Sequence, residues 1–296
     1  MLVAHNWIDY ELIDAGNGEK IERWGNTILQ RPDPQAIWPR SEWPQPSAKY
    51  IRSSTGGGRW QNITPFPKEW IIKYDSTAGQ LRFGVEPTGF KHTGIFPEQA
   101  VNWDFMGNLI SVAAAEGREI RILNLFAYTG AATVACSVAG AKEVVHVDAS
   151  KGMNDKAKRN SELSGSSKNH IRYITEDVNK FVDRELRRGR KYDGIIMDPP
   201  SYGRGPGGEL WKLDDELYTI VNKCNDLLVN DPLFFIINSY TSGYAPSVLA
   251  NMLELAVCEK IGGRVEAHEL GLAASSRNIV LPCGSTGRWF RREDHL

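Results

Sequence analysis

The stretch "LNLFAYTGAATVACSVAGAKEVVHVDAS", residues 123–150, decides the fold. It contains an apolar strand, a tight turn at Thr129 and Gly130, a helix rich in small residues, a second apolar strand and a final acid, Asp148. A strand, helix and strand in this order predict a parallel βαβ unit. Asp148 follows Gly130 by 18 residues, which is about where a ribose-binding acid is expected in a nucleoside-binding unit.

The alternation of strands and helices continues to about residue 260. Further apolar strands are expected in "IRYITED", "YDGIIMD" and "LFFIINSY", and amphipathic helices lie between them. The tail, "RVEAHELGLAA" followed by "RNIVLPCGSTGRWF", has no helix between its two strands and predicts an antiparallel hairpin at the sheet edge. The fold class is therefore α/β, with a doubly wound, mostly parallel, seven-stranded Rossmann-like sheet.

The first hundred residues have a different texture. Strand-like runs surround an Asn-Gly turn in "YELIDAGNGEKIERWG" and recur in "EWIIKY" and "LRFGVEPTGF". Most of the tryptophans fall in this part of the chain, namely Trp7, Trp24, Trp38, Trp43, Trp60, Trp70 and Trp103. We predict a small, mainly β domain over residues 1–104 and an α/β domain over residues 105–296.

Composition excludes few partners. The formal net charge of -1 gives no global attraction for nucleic acid, so any such contact needs a local basic patch. The four cysteines are widely spaced and favour core positions in a reducing, cytoplasmic protein. The six histidines show no ligand spacing, which predicts no metal, and no segment is long and apolar enough to span a membrane. The sequence does not indicate an oligomeric state.

Four consecutive strand ends carry a glycine turn or an acid. They are the turn at Gly130, Asp148, Asp177 and the Asp198 of "DPPSYG". In a doubly wound sheet, ligands bind beyond these carboxyl ends. A dinucleotide site needs several glycines near its pyrophosphate, and "YTGAAT" supplies one, so an NAD-dependent oxidoreductase is a poor match. A single glycine suits a cofactor without phosphates, and S-adenosylmethionine is such a molecule.

Three segments carry a family resemblance. Together with residues 123–150, "EDVNKFVDRELRRGRKYDGIIMDPPSYGRG" and "FKHTGIFPEQAVNW" resemble the class I S-adenosylmethionine-dependent methyltransferases. The resemblance is to the large-subunit ribosomal RNA group, whose members modify cytosine C5 or guanine N7. It covers roughly residues 85–296. No stretch resembles the PUA RNA-binding domain that many of these relatives carry at the N-terminus.

The resemblance implies roles for individual residues. The methionine part of the cofactor would be framed by Phe126, Tyr128 and Gly130, the ribose and adenine by Asp148, Ala149 and Ser150, and the adenine edge by Asp177 and Val178. "KHTGIFPEQ" resembles a segment that closes over the cofactor, which makes Thr93 and Gln99 candidate contacts. The methyl group and the acceptor would face Asp198, Pro199, Pro200 and Tyr202.

The residues after the fifth strand favour a nitrogen acceptor over carbon. Cytosine C5 methylation needs a nucleophile at C6, normally a cysteine thiolate, which relatives carry just after this strand. Here the sequence reads "FFIINSYTSG" and contains no cysteine. A nitrogen acceptor mainly needs positioning: Asp198 can accept a hydrogen bond from an amine while Tyr202 stacks on the ring.

The expected activity is methylation of a ring or exocyclic nitrogen of an RNA base. The basic segments "RELRRGRK" and "GRWFRR" are candidate phosphate contacts. Two alternatives remain: a methyltransferase that acts on a small metabolite or a protein, which the near-neutral charge favours, and a non-catalytic nucleoside-binding module. The intact "DPPSYG" motif does not favour the second alternative.

Overall fold

The structure is a computed structural model that describes residues 1–53, 57–89 and 91–291. In the N-terminal part the strands are β1 Leu2–Val3, β2 Tyr10–Gly16, β3 Glu19–Trp24, β4 Thr27–Pro32, β5 Ala48–Arg52, β6 Gly58–Asn62, β7 Trp70–Ser76 and β8 Gly79–Val85. The later strands are β9 Arg121–Leu125, β10 Glu143–Asp148, β11 His170–Thr175, β12 Gly194–Met197, β13 Tyr202–Arg204, β14 Leu210–Lys212, β15 Phe234–Ser239, β16 Arg264–Ala273 and β17 Val280–Phe290.

The helices begin with a 3₁₀ turn, Pro97–Gln99, that leads directly into α1. The α-helices are α1 Ala100–Ala115, α2 Ala131–Val138, α3 Lys151–Leu163, α4 Val178–Arg187, α5 Leu213–Asn225, α6 Pro246–Leu253 and α7 Glu259–Ile261, with a π-helical turn, Glu254–Cys258, between the last two. Among the described residues, no helix combines the length and the apolar character needed to cross a membrane.

The central sheet has the strand order β1-β16-β17-β15-β12-β9-β10-β11. The five strands from β15 to β11 are parallel neighbours, whereas β17 is antiparallel to both β15 and β16. The doubly wound, mostly parallel sheet and its C-terminal hairpin are therefore confirmed. The chain runs outward in opposite directions from the adjacent strands β9 and β12, so their carboxyl ends flank the crevice where such sheets bind ligands.

The hairpin differs from the prediction in one respect, because it is not at the edge of the sheet. The two residues of β1 pair in parallel with β16, Leu2 opposite Leu270 and Val3 opposite Gly271, and form an eighth strand. This short segment uses the backbone groups that an unpaired β16 would expose at an open edge. A two-residue strand has no alternating pattern, so the sequence could not indicate it.

The N-terminal part forms a separate small β-sheet, as predicted, with the order β2-β3-β4-β5-β6, next to a β7-β8 hairpin. Its apolar residues join one face of the central sheet in a single cluster: Trp24 and Tyr74 belong to the same cluster as Ile122 and Phe234. The opposite face of the central sheet packs against α4, α5 and α6. The domain boundary between residues 104 and 105 stays a prediction, and this position lies inside α1.

Candidate active site

The loop after β9 has an unusual backbone. Phe126, Tyr128 and Gly130 all have positive φ angles, of 54°, 51° and 80°. Such angles are uncommon for aromatic residues and cluster at functional sites. Gly130 is required on two counts, since a Cβ atom there would also lie 2.6 Å from the Cβ atom of Ala157 on α3. Helix α2 begins immediately after this glycine, and its first backbone N–H groups are unpaired within the helix.

Asp148 stabilises this loop from the end of β10. One carboxylate oxygen accepts a hydrogen bond from the backbone N–H of Tyr128 at 2.8 Å, and the other accepts one from the backbone N–H of Ser150 at 2.8 Å. Burial raises the pKa of Asp148 despite these two bonds. Each oxygen has a second lone pair, so Asp148 can also accept hydrogen bonds from ligand hydroxyls.

Asp177 lies two residues after the end of the next strand, β11, and is the N-cap of α4. Its side chain accepts a hydrogen bond from the backbone N–H of Lys180 at 3.0 Å. Ser150 is the N-cap residue of α3 but makes no capping bond through its side chain. The two caps differ in position relative to the cavity described below, because Asp177 lines it and Ser150 does not.

The segment from Thr93 to Gln99 packs over the glycine loop. Thr129 Oγ1 donates a hydrogen bond to the carbonyl of Gly94 at 2.5 Å, and the rings of Phe96 and Tyr128 are 5.7 Å apart. Gln99 Nε2 donates a hydrogen bond to the Tyr240 hydroxyl at 2.8 Å. Thr93 is buried, and its Oγ1 has no hydrogen-bond partner among the described residues.

Asp198 follows β12 at the strand end next to Phe126, because Met197 of β12 pairs with Leu125 of β9. Burial, and after it the nearby carboxylate of Glu98, raises the pKa of Asp198 to about 7. A carboxyl group with this pKa changes protonation state near neutral pH, which is the property needed in a catalytic acid or base. Pro199 and Pro200 follow Asp198, and all three residues line the larger of the two cavities described below.

Tyr202 is the one member of the predicted acceptor group that lies outside this cavity. It begins β13, and its side chain is 56% exposed. The following "GRGPGG" segment, which looks like an open loop in sequence, lies largely between the paired strands β13 and β14. The aromatic residue of this hairpin that does line the cavity is Trp211, whose Nε1 donates to the Pro200 carbonyl at 2.6 Å and whose ring lies 4.7 Å from that of Phe126.

Most of the predicted site residues share two adjoining cavities. The larger, of about 600 Å³, lies within the range of small-molecule sites. It is lined by Phe126, Tyr128, Asp148, Ala149, Asp177, Val178, Asp198, Pro199 and Pro200. The smaller, of about 60 Å³, is lined by Gln99, Phe126, Tyr128, Gly130 and Asp198 together with Asn102, Asn124 and Asn238. Thr93, Ser150 and Tyr202 line neither cavity.

The sequence analysis missed several residues of the larger cavity. Glu98 is buried, and burial raises its pKa, while Tyr240 follows β15 and lies beside it. Tyr240 occupies a strand end, so the rule that found Asp198 could have found it as well. Cys283 packs against the core and also lines the cavity, and burial followed by the Glu98 charge raises the pKa of its thiol. The N-terminal sheet also contributes Lys20, Arg31 and Asp33, for which the sequence contained no signal.

The site fits S-adenosylmethionine. The open helix start after Gly130 suits a carboxylate, Asp148 suits ribose hydroxyls, and the apolar edges of Ala149 and Val178 suit an adenine ring. When bound, this cofactor supplies a methyl group on a positively charged sulfur. Within residues 1–53, 57–89 and 91–291, no three His, Cys, Asp or Glu side chains come together as potential metal ligands.

Comparison with known proteins agrees with this geometry. The sequence model of the S-adenosylmethionine-dependent methyltransferase family matches residues 61–254. The crystal structure of a SAM-dependent methyltransferase from Agrobacterium tumefaciens is 33% identical in sequence and superposes with a TM-score of 0.90 over 98% of this chain and 93% of that one.

Curated relatives match over shorter stretches. Ribosomal RNA large subunit methyltransferase I of Aeromonas hydrophila is 40% identical over 42% of this chain and 30% of its own length. Ribosomal RNA large subunit methyltransferase K of Neisseria meningitidis serogroup B is 32% identical over 56% of this chain and 45% of its own length. The chain thus matches less than half of each of these relatives. From the family match and the geometry of the crevice, we conclude that the chain belongs to the S-adenosylmethionine-dependent methyltransferases and uses S-adenosylmethionine as its methyl donor.

Proposed function

We propose that this enzyme methylates a nitrogen atom of an RNA base and that Asp198 orients the acceptor. The observation that carries the proposal is the position of Asp198: it ends β12 at the centre of the crevice, lines both cavities, and has a pKa raised to about 7. A base of this strength can accept the proton that an amine loses when it is methylated near neutral pH.

We assign the cofactor to the floor of the same crevice. Phe126, Tyr128 and Gly130 would hold its methionine part, and Asp148 with Ala149 would hold its ribose and adenine. Asp177 and Val178 would contact the adenine edge, while Gln99 closes the small cavity above. Ser150 and Thr93 would act indirectly, because the backbone N–H of Ser150 donates to Asp148 and Thr93 is a buried residue of the closing segment itself.

The cysteines support a nitrogen acceptor. Nucleophilic attack on a pyrimidine needs a thiolate, and the pKa of the one cysteine that lines the larger cavity, Cys283, is raised by burial and by Glu98. The thiol is therefore protonated at neutral pH. Pro199 and Pro200 would shape the acceptor pocket, and Trp211 is better placed than the exposed Tyr202 to stack on a flat ring.

An RNA acceptor is supported by the names of the curated relatives, which methylate ribosomal RNA. The basic segment "RELRRGRK" supports it less than expected, because Arg184 pairs with Glu176 and Arg190 pairs with Glu143. In the other basic segment, "GRWFRR", Arg288 is buried and pairs with Glu266, and Arg292 lies outside the described residues. The exposed Arg187 and Arg188 and the rim of the cavity are the candidate contacts to RNA.

The test is to incubate the enzyme with methyl-labelled S-adenosylmethionine and, in separate reactions, total RNA, a protein extract and a metabolite extract. Digestion of the labelled RNA to nucleosides and mass spectrometry should identify a base methylated on nitrogen. Label in the protein or metabolite fraction alone would replace RNA by the alternative substrate class. Label on C5 of a pyrimidine would contradict the nitrogen assignment.

Two further points remain proposals. We propose a division of labour in which residues 1–104 shape the acceptor side and residues 105–296 bind the cofactor. We also propose a reducing, cytoplasmic setting, which the four free cysteines support.

A further inference from the structure

The larger cavity has two chemically different walls. The wall made by the central sheet carries Asp148, Asp177 and Asp198, whereas the wall made by the rest of the lining carries Lys20, Arg31 and Lys91 together with the acids Asp33 and Glu98. Lys20 and Arg31 belong to strands β3 and β4 of the N-terminal sheet, and Lys91 precedes the segment that closes over the glycine loop. The cations of the cavity therefore all lie outside the central sheet.

Arg31 and Lys20 are held in place by acids behind the wall. Arg31 makes a two-pronged contact with Glu22, with its Nε at 2.6 Å and its Nη2 at 2.7 Å from the two carboxylate oxygens. Its remaining terminal nitrogen, Nη1, donates to the Lys91 carbonyl at 3.0 Å. Lys20 Nζ lies 3.3 Å from Asp33 and 3.7 Å from Glu22. These contacts fix the cations in position before any ligand arrives.

Lys91 is the cation of this wall that has no carboxylate of its own. Glu22 and Asp33 pair with Arg31 and Lys20, and the carboxyl group of Glu98 acts on both of these cations, whereas Lys91 has no ion-pair partner among the residues that the structure describes. Burial and the neighbouring cations lower the pKa of Lys91. The same two causes lower the pKa of His92 to about 4, so its imidazole is neutral. A half-buried lysine without an ion-pair partner is costly unless an anion compensates it.

The hydrogen-bond donors at and around Lys91 suit a phosphoryl group. Lys91 offers all three ammonium hydrogens, and Lys20 keeps at least one beyond its two acid contacts. The Gln35 side chain lines the same wall, next to Pro32 and Pro34, whose fixed φ angles stiffen the segment. Several donors on a rigid frame that converge from different elements are typical of phosphate recognition.

We propose that Lys20, Arg31 and Lys91 form a phosphate-binding wall for the acceptor, with Lys91 as the residue that the phosphoryl group neutralises. This inference rests on the proposed function only in taking the acceptor to be a nucleotide. It assigns the acceptor's phosphoryl group to the N-terminal sheet and its base to Asp198. The source of that group is either a free nucleotide or a phosphate of an RNA chain.

The test measures binding and needs no methyl transfer. Protein saturated with S-adenosylhomocysteine is titrated by calorimetry with the four ribonucleoside 5′-monophosphates and with the four parent nucleosides. At least one monophosphate should bind tenfold or more tightly than its nucleoside. Lys91→Met, which keeps the apolar stem, should remove most of that difference, and Lys91→Arg should restore it. The matched control is Lys158→Met on the exposed face of α3, which should change nothing.

A mixed-sequence RNA of ten nucleotides separates the two sources. The phosphoryl group is assigned to RNA if two results are found. The RNA should bind more tightly than any monophosphate, and the slope of log affinity against log salt concentration should become shallower by about one in Lys91→Met. Binding no tighter than a monophosphate assigns it to a free nucleotide. Equal affinities of nucleoside and monophosphate, or an unchanged difference in Lys91→Met, would overturn the proposal. The proposal would also be overturned if Lys91→Met lost as much affinity for S-adenosylhomocysteine as for the monophosphate, because the wall would then serve the cofactor.

Discussion

Asp198 and Glu98 form a pair of carboxyl groups that belong to one cavity but to different elements. Asp198 ends a strand that the sequence marks clearly, whereas Glu98 lies in the 3₁₀ turn before α1. The raised pKa of Asp198 depends first on burial and second on the charge of Glu98. The sequence analysis found the first residue by its strand end and could not find the second, because burial of a turn residue has no local signal.

The first prediction concerns pH. If Asp198 accepts a proton from the acceptor, it is active when ionised, so the methyl-transfer rate should rise as pH increases through about 7. Glu98→Gln removes a neighbouring negative charge and should lower the pKa of Asp198, so the acid limb should move to lower pH. Because burial is the larger cause, the limb should stay above the ordinary range of an aspartate. A pH–rate profile of both proteins provides the measurement, and a flat profile from pH 5.5 to 8 would argue against proton acceptance.

Asp148 provides a second prediction at this scale. Asp148→Ala removes an acceptor from both the loop and the ribose, and should weaken S-adenosylhomocysteine binding by about 1.5 to 3 kcal/mol, the usual range for charged hydrogen bonds. Asp148→Asn keeps one oxygen and should lose less. Calorimetric titration gives both values, with Asp155→Ala on the exposed face of α3 as the control. Unchanged affinity in a folded Asp148→Ala protein would remove the ribose assignment.

The loop between β9 and α2 shows how far element-level prediction reaches. The turn at Gly130 is readable from the sequence, since strand, glycine and helix follow in order. The close contact with Ala157 is not readable, because it depends on how α3 packs across α2. The β13-β14 hairpin is a similar case: its glycines suggest a mobile loop, but Gly205 N–H donates to the Glu209 carbonyl at 2.8 Å and joins its two strands.

A third prediction concerns this packing. Gly130→Ala should destabilise the fold, because the new Cβ atom both strains a positive φ angle and lies 2.6 Å from Ala157 Cβ. The loop should shift, and S-adenosylhomocysteine affinity should fall with it. The double variant Gly130→Ala/Ala157→Gly removes the closest contact but keeps the strained angle and leaves the Cα atom of residue 157 at 3.1 Å, so it should recover only part of the melting temperature. Full stability in the single variant would show that the loop tolerates a side chain.

The N-terminal sheet and the central sheet share one core. Of the properties of the whole molecule, this is the one that the sequence indicates least. The change in texture near residue 104 predicts a domain boundary there but does not indicate how the two parts pack. The side chains of Trp24, Tyr74 and Phe83 nevertheless pack in the same cluster as α1 and the central sheet, and Leu12 bridges to Ala274. A composition shift records strand and helix content, whereas shared burial depends on contacts between residues far apart in the chain.

The fourth prediction follows from this shared core. Thermal unfolding in a calorimeter should show one cooperative transition, since neither sheet can lose its partner without exposing apolar surface. Leu12→Ala opens a cavity at the junction of the two sheets. It should lower the free energy of unfolding by about 2 to 5 kcal/mol, as is typical of buried leucines, and the transition should remain single. Exposed Ile37→Ala serves as the control. Two resolved transitions in the unaltered protein would show that the sheets unfold independently.

Proton acceptance by Asp198 can be tested by single-turnover methyl transfer with Asp198→Asn, measured with labelled cofactor and the extract fraction that accepts label. Asn preserves the shape of the side chain but cannot accept the proton. The rate should be lower by ~10²-fold or more, with S-adenosylhomocysteine affinity and melting temperature unchanged. Asp193→Asn, at the opposite end of the same strand and bonded to the Arg121 backbone, should show the converse, lower stability with a normal rate. A normal rate and normal melting in Asp198→Asn would show that Asp198 does not accept a proton and only stabilises a turn.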